Sequence, residues 1–212
     1  MNEFIKALQF RHACKLFDEK RKIPKKEFGV ILEAARLSPS SFGLEPWRFL
    51  VIENDKVKKA LSAACWNQPQ VTTCSHFVIL LSRKPQFFKK GSEYLDEAFN
   101  RSTKDEKSLE TVEKAFDNFI KKDLGTNIKN WAKMQVYLAS ANMMSAAAFI
   151  GIDSCPMEGF NAKALRKALV QNVPSFEKKS YDIAYAVAFG YRTNGQSGKI
   201  RWPLEKIATF VK

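Results

Sequence analysis

Lys199 and Arg201, two cations separated by one residue, and the group Arg11, His12 and Lys15 are the side chains in this sequence best suited to hold a phosphate. Side chains at i and i+2 of an extended segment project the same way, and guanidinium and ammonium groups form charge-assisted hydrogen bonds to phosphate oxygens. Arg11-His12-Ala13-Cys14-Lys15 follows a short apolar stretch carrying Phe4, Ile5 and Leu8, so a single turn presents three basic or imidazole groups. A third polar island, Pro156-Met157-Glu158-Gly159-Phe160, contains a glycine that lets the backbone come close to a bound group. The fourth, Ser38-Pro39-Ser40-Ser41, runs at once into Glu45-Pro46-Trp47 and an apolar strand. Pro39 biases Ser38 away from the helical region, and the serines offer hydroxyls and backbone N–H groups where the chain turns. The same composition also makes an ordinary helix-to-strand connection. Four such islands at element boundaries, far apart in sequence, point to one composite site.

Elements must bring these islands together. Phe28, Ile31, Leu32 and Ala35 recur at three-and-four spacing behind Pro24, which predicts a helix over 25–37. The pattern further predicts helix over 2–10, strand over 47–53, helix over 55–64 and strand over 76–83. Over about 84–125 the chain turns highly charged, with Leu109, Val112, Phe116, Phe119 and Ile120 forming a helical stripe, and reads as a helical excursion over the core. The stretch 128–150 is apolar around much of its circumference and rich in small residues, as expected of a buried central helix. A helix over 162–169 leads to a strand over 182–190, where Ile183, Tyr185, Val187 and Phe189 alternate with alanines. That alternation predicts large residues toward one layer and small ones toward the other. Helices and strands mixed without a regular βαβ series predict an α+β class in a single domain over 1–212, and the glycine-rich dinucleotide fingerprint is missing.

Composition bounds the alternatives. At 212 residues with 45% apolar and 27% charged content, the chain can bury a sizeable core. Met1-Asn2-Glu3-Phe4 lacks the basic and apolar regions of a signal peptide, so a cytoplasmic protein is expected. No membrane span is expected either, because the run from Val136 to Ile152 falls short of the roughly 20 apolar residues needed. Cysteines at 14, 65, 74 and 155 form no CxxC pair and only His12 and His76 exist, so no metal site is expected. Cys155 beside Pro156 could be a nucleophile, but no histidine lies near it in sequence, and a free cysteine more often acts as a small buried hydrophobe. Lysines and arginines outnumber carboxylates 35 to 22, a net charge of +13, which keeps nucleic-acid binding in view. The dense stretches, Lys20 to Lys26, Lys84 to Lys90 and Lys121 to Lys133, follow no nucleic-acid motif, so incidental, salt-sensitive adsorption is expected. A basic enzyme would also attract phosphorylated cofactors.

Taken in order, Arg11-His12 with Lys15, Ser38-Pro39-Ser40-Ser41 with Pro46-Trp47, Asn67, Gln135-Val136-Tyr137, Gly151-Ile152-Asp153 running into the 156–160 island, and Lys199 with Arg201 resemble the FMN-dependent nitroreductases. Within that family they resemble the oxygen-insensitive NAD(P)H nitroreductases, over nearly the whole chain. The resemblance implies a nitroreductase-like fold: a central, mostly antiparallel sheet flanked by helices, a long buried central helix, and a C-terminal strand exchanged between the subunits of a homodimer. It implies bound FMN at the subunit interface, NADPH or NADH as transient reductant, and nitroaromatics or quinones as acceptors in ping-pong order. Residue by residue, it places Arg11, Lys199 and Arg201 on the FMN phosphate with His12 and Ala13 beside it, and Lys15, Asn67 and Gln70 at the flavin pyrimidine edge. The backbone of Glu158 and Gly159, following Pro156 and Met157, would approach flavin N5 and O4. Ser38, Pro39, Ser40, Ser41 and Gly43 would form the binding loop, with Ser40, Ser41 and Gly43 reaching the flavin of the other subunit, and Phe42 and Phe116 would line the acceptor channel. No side chain acts as a nucleophile or acid–base group in this scheme, and Lys15 supports reduced flavin electrostatically. Gln70 stands where relatives commonly have lysine, Gly43 where asparagine is common and Glu45 where glutamine is common, which bears on redox poise and acceptor preference. A flavin or quinone reductase on the same scaffold shares every one of these motifs, and a basic nucleic-acid-binding protein is the alternative outside enzymes.

Overall fold

The computed structural model describes residues 2–212. Asn2 caps α1 (Glu3–Phe10) through its side chain, and Pro24 precedes α2 (Lys25–Arg36). The chain then forms β1 (Trp47–Ile52), α3 (Asp55–Ser62), the one-turn α4 (Pro69–Thr73) and β2 (His76–Arg83). The charged excursion holds α5 (Glu93–Ser102) and α6 (Glu106–Asn118), followed by a wider π-type turn over Phe119–Leu124. The 22-residue α7 (Ile128–Phe149) leads into β3 (Asp153–Met157), α8 (Ala162–Asn172) and β4 (Tyr181–Gly190). Ser92, Asp105 and Asn161 cap α5, α6 and α8 by accepting backbone N–H groups in the first turn, as short polar side chains do.

The four strands make one antiparallel sheet in the order β1-β2-β4-β3. Alternation along the strands divides the core. Leu50, Ile52, Phe77, Ile79, Leu81, Cys155 and Met157 pack with Leu61 of α3 and Leu165 and Leu169 of α8. Val78, Leu80, Val187 and Phe189 pack on the other face with Phe28, Ile31 and Ala35 of α2 and Val136, Ala139, Met143 and Ala147 of α7. The expected alternation of β4 holds only in part. Leu80 pairs with Tyr185 but Leu81 with Ile183, so Ala184 is an extra residue in the ladder and Ile183 joins the face opposite Tyr185. A third cluster, built on Phe88, Leu95, Phe99 and Phe116, ties the excursion to Leu44 and to Trp131 and Ala132 of α7.

Two surfaces remain uncovered within the chain. α7 is the central helix, yet its outer side exposes Met134, Leu138 and Phe149, next to exposed Phe4, Val30 and Leu37. Its all-round apolarity therefore fits a helix with a second packing surface. After β4 the chain forms no further strand among the described residues, only a short turn at Leu204–Lys206, and Ile200, Trp202, Leu204, Ile207, Phe210 and Val211 are exposed. Among the described residues no helix is long and apolar enough to cross a membrane.

Candidate functional site

The end of α1 and the segment after β4 meet in a cleft of about 550 Å³ lined by Arg11, His12, Ala13, Lys15, Arg192, Lys199 and Arg201 among others. Arg192 builds this junction. Its Nη2 lies 2.6 Å from Asp153 Oδ1 and its Nη1 donates to Gln196 Oε1 at 2.8 Å, while the guanidinium stacks 4.2 Å over the Phe10 ring. Gln196 in turn donates to the Gln9 carbonyl at 2.8 Å, which lays the tail along α1. Lys199 Nζ donates to the carbonyls of Leu8, at 2.7 Å, and Arg11, so it caps the carbonyl end of α1. An ammonium has three donors, and one remains for a ligand.

Among the described residues, Arg11, Lys15, Lys199 and Arg201 form no ion pair with a carboxylate. The crowding has a cost: burial, then Arg11 and Arg201, push the Lys199 ammonium below its ordinary value. Burial and Arg192 likewise lower His12, and its buried Nδ1 has no hydrogen-bond partner, with Asp153 Oδ1 3.6 Å away. Like charges held together beside an unsatisfied imidazole nitrogen, in a cleft of ligand-binding size, fit an anionic ligand such as a phosphate monoester.

A second group lies where β3 ends. Glu158 and Gly159 sit beyond the last residue that β3 pairs with β4, and among the described residues neither backbone N–H finds an acceptor. The turn is held from both sides. Tyr137 OH donates to Glu158 Oε1 at 2.5 Å, its ring 4.6 Å from that of Tyr185. Gln68 Nε2 donates to the Gly159 carbonyl at 2.7 Å and Gln70 Nε2 donates to Gln68 Oε1 at 2.9 Å. Gln70 is itself buried, so its amide acts on the turn through Gln68. A Cβ at Gly159 would stand 2.9 Å from Trp66 Cζ3, so a side chain there displaces the exposed Trp66 ring. Trp66 and Asn67, both exposed, adopt left-handed backbone with φ of 56° and 51°. Lys15 joins the two groups, its Nζ lying 3.6 Å from Cys155 Sγ just before Pro156.

None of residues 38–43 lines the cleft. Ser38 is buried, its hydroxyl donating to the Ala34 carbonyl at 2.9 Å and accepting from Asn142 Nδ2 at 2.8 Å. The expectation of free N–H groups on the serines fails at Ser41, whose N–H donates to Gln135 Oε1 at 2.9 Å. Ser40 Oγ accepts from the Glu45 N–H at 2.8 Å and keeps its own proton to offer. Pro39 and Gly43 are exposed. Phe42 is half-buried with its ring 5.1 Å from that of Phe116, which is only 3% exposed and thus part of the excursion core.

All four cysteines are buried. Burial raises the Cys14 and Cys65 thiols to about 11 and Cys74 to about 12, and raises Cys155 despite the Lys15 ammonium. Cys155 is therefore a protonated core side chain and not a poised nucleophile. Arg192, Gln68 and Trp66 carry the geometry of these groups without belonging to a sequence motif. Arg192 and Gln68 are polar residues near a motif, and only the fold shows that their partners are backbone carbonyls and carboxylates elsewhere in the chain.

The Nitroreductase family model matches residues 8–191. A Staphylococcus haemolyticus protein provisionally named NAD(P)H nitroreductase is 42% identical over 214 residues, covering 98% of this chain and 96% of that protein. A Bacillus subtilis protein with the same provisional name is 38% identical over 220 residues, covering 99% and 97%. Among solved structures, a nitroreductase-like protein from Streptococcus mutans aligns over 100% of both chains with a TM-score of 0.85 at 19% identity. A protein from Exiguobacterium sibiricum, described as a nitroreductase in complex with FMN, aligns over 100% of this chain and 98% of its own with a TM-score of 0.79 at 24% identity. With the family model covering the sheet, α7, the Arg11–Lys15 turn and the Glu158 turn, the chain belongs to the nitroreductase family of oxidoreductases.

Proposed function

We propose that this protein is an FMN-dependent oxidoreductase that takes hydride from NADPH or NADH and reduces nitroaromatics and quinones by two electrons in ping-pong order. The observation that carries this reading is the cluster of Arg11, Lys199 and Arg201, three cations without carboxylate partners among the described residues, which line one cleft together with Lys15. FMN, when bound, supplies the relay between nicotinamide and acceptor. The three cations bind its phosphate, with the His12 imidazole beside them. Lys15 and Asn67 meet the pyrimidine edge, where the ammonium favours the negative charge that develops on reduction. The unengaged N–H groups of Glu158 and Gly159 are donors held in place before any ligand arrives, aimed by Tyr137 on one side and Gln68 on the other. Because its carboxylate is committed to Tyr137, Glu158 acts through its backbone, and proton supply comes from solvent or nearby donors.

The protein acts as a homodimer in this reading. The segment with Ser40, Ser41 and Gly43 lies away from the chain's own cleft and serves the partner's, with the Ser40 hydroxyl proton as a donor it keeps, while the exposed side of α7 and the apolar C-terminal segment form the contact.

The test is a titration of flavin-free protein with FMN. Each charged contact to the phosphate contributes about 1.5 to 3 kcal/mol, so Lys199→Ala combined with Arg201→Ala weakens FMN binding at least tenfold. Unchanged affinity would remove both residues from the phosphate site.

A further inference from the structure

The turn over residues 41–45 holds three residues in left-handed backbone: Phe42 at φ 56°, Gly43 at 62° and Glu45 at 49°. Two of these are not glycine, so the conformation persists only where neighbours impose it. α5 supplies the neighbours. Tyr94 OH donates to the Leu44 carbonyl at 2.6 Å. Arg101 Nη2 donates to the Gly43 carbonyl at 3.3 Å and to Glu45 Oε1 at 3.0 Å. The Arg83 guanidinium lies 4.4 Å over the Tyr94 ring and fixes it from β2. On the opposite side Ser40 Oγ and Gln135 Oε1 hold the N–H groups of Glu45 and Ser41. The excursion thus grips the carbonyls of this turn while the rest of the chain grips its N–H groups.

We propose that Arg101 and Tyr94 are positioning residues that fix the shape of the 41–45 turn and thereby set which acceptors the enzyme prefers, an inference that rests on the flavin-site reading above. The Arg101–Glu45 pair is exposed on both sides, and such pairs add little to global stability. A change in selectivity without a matching change in stability therefore reports geometry at the turn.

Steady-state kinetics on the FMN-loaded protein, with a single-ring nitroaromatic and a two-ring naphthoquinone as acceptors, tests this. The ratio of kcat/KM between the two acceptors shifts by about tenfold for Arg101→Ala, which loses a charge-assisted hydrogen bond, and by about threefold to tenfold for Tyr94→Phe, which loses a neutral one. On flavin-loaded protein the ratio does not depend on FMN occupancy, so it shifts whether or not FMN affinity changes. Arg101→Ala keeps a wild-type Tm, whereas Tyr94→Phe lowers it by leaving the buried Leu44 carbonyl without its donor. Arg101→Lys recovers part of the ratio. Lys114→Ala, which removes a surface pair with Glu110 on the neighbouring α6, leaves the ratio unchanged. A wild-type ratio in both Arg101→Ala and Tyr94→Phe, with flavin bound and turnover intact, overturns the positioning role alone. A shift confined to variants whose Tm falls also overturns it, in favour of a structural role. Wild-type protein that takes up no FMN overturns the flavin-site reading and this inference with it.

Discussion

At the level of single residues, the two histidines are the groups that respond near neutral pH. Burial holds both His12 and His76 below their ordinary value of 6.5, and for His76 it outweighs the opposing pull of Glu53, 2.9 Å from its Nε2. The unfolded chain therefore takes up protons first as the pH falls through that value. The stability they contribute is intact above 6.5 and is lost as the pH drops toward the folded-state values. Asp55, lowered chiefly by its hydrogen bond from buried Lys58, acts in the same direction only below its ordinary 3.8. Urea midpoints should thus decline between about pH 7 and about pH 5, and His76→Gln should flatten that slope; a flat wild-type profile would contradict the assignment. The motif cations were legible at this scale because Lys199, Arg201 and Arg11 are unusual in type and spacing. Arg192 was not, since nothing in Tyr191-Arg192-Thr193 announces that its guanidinium will bind Asp153, Gln196 and the Phe10 ring at once.

Between elements, close contact decides what the sheet tolerates. A Cβ at Gly190, the last residue of β4, would stand 2.7 Å from Phe17 Cδ1, and Phe17 is only 2% exposed, so the ring has little room to retreat. Gly190→Ala should cost about 1–3 kcal/mol in chemical denaturation through overpacking, and a loss well under 1 kcal/mol would mean that Phe17 can shift. The predicted strands and helices match the structure where the apolar pattern is strong, as in α2, β2 and α7. The misses have physical causes. The extra residue at Ala184 arises from pairing with β2, which the sequence of β4 alone does not encode. α5 was hidden because its apolar residues, Leu95, Ala98 and Phe99, are few and set among charges, and their burial depends on Phe88 and Phe116 elsewhere in the excursion.

For the molecule as a whole, the uncovered apolar surface sets the expectation. Phe210 and Val211 are 81% and 93% exposed, and Phe149 of α7 is 60% exposed, more apolar surface than an isolated chain usually presents. Sedimentation should give a homodimer, and deletion of residues 203–212 should yield monomer with weakened FMN binding; a wild-type monomer that binds FMN fully would rule out the shared site. The composite site was legible as four islands, and the structure joins the Arg11 and Lys199 islands directly while linking Lys15 to the Glu158 turn through Cys155. The Ser38–Gly43 island stays apart from the cleft within this chain, and only the proposed homodimer would bring it to a flavin. The most direct test of the account is the visible spectrum of the purified protein under anaerobic conditions, before and after NADPH and then with a nitroaromatic. The account predicts a yellow flavin spectrum that bleaches with NADPH and returns when the nitroaromatic is added. A colourless protein that remains inert after FMN is supplied would contradict it and bring the nucleic-acid alternative forward.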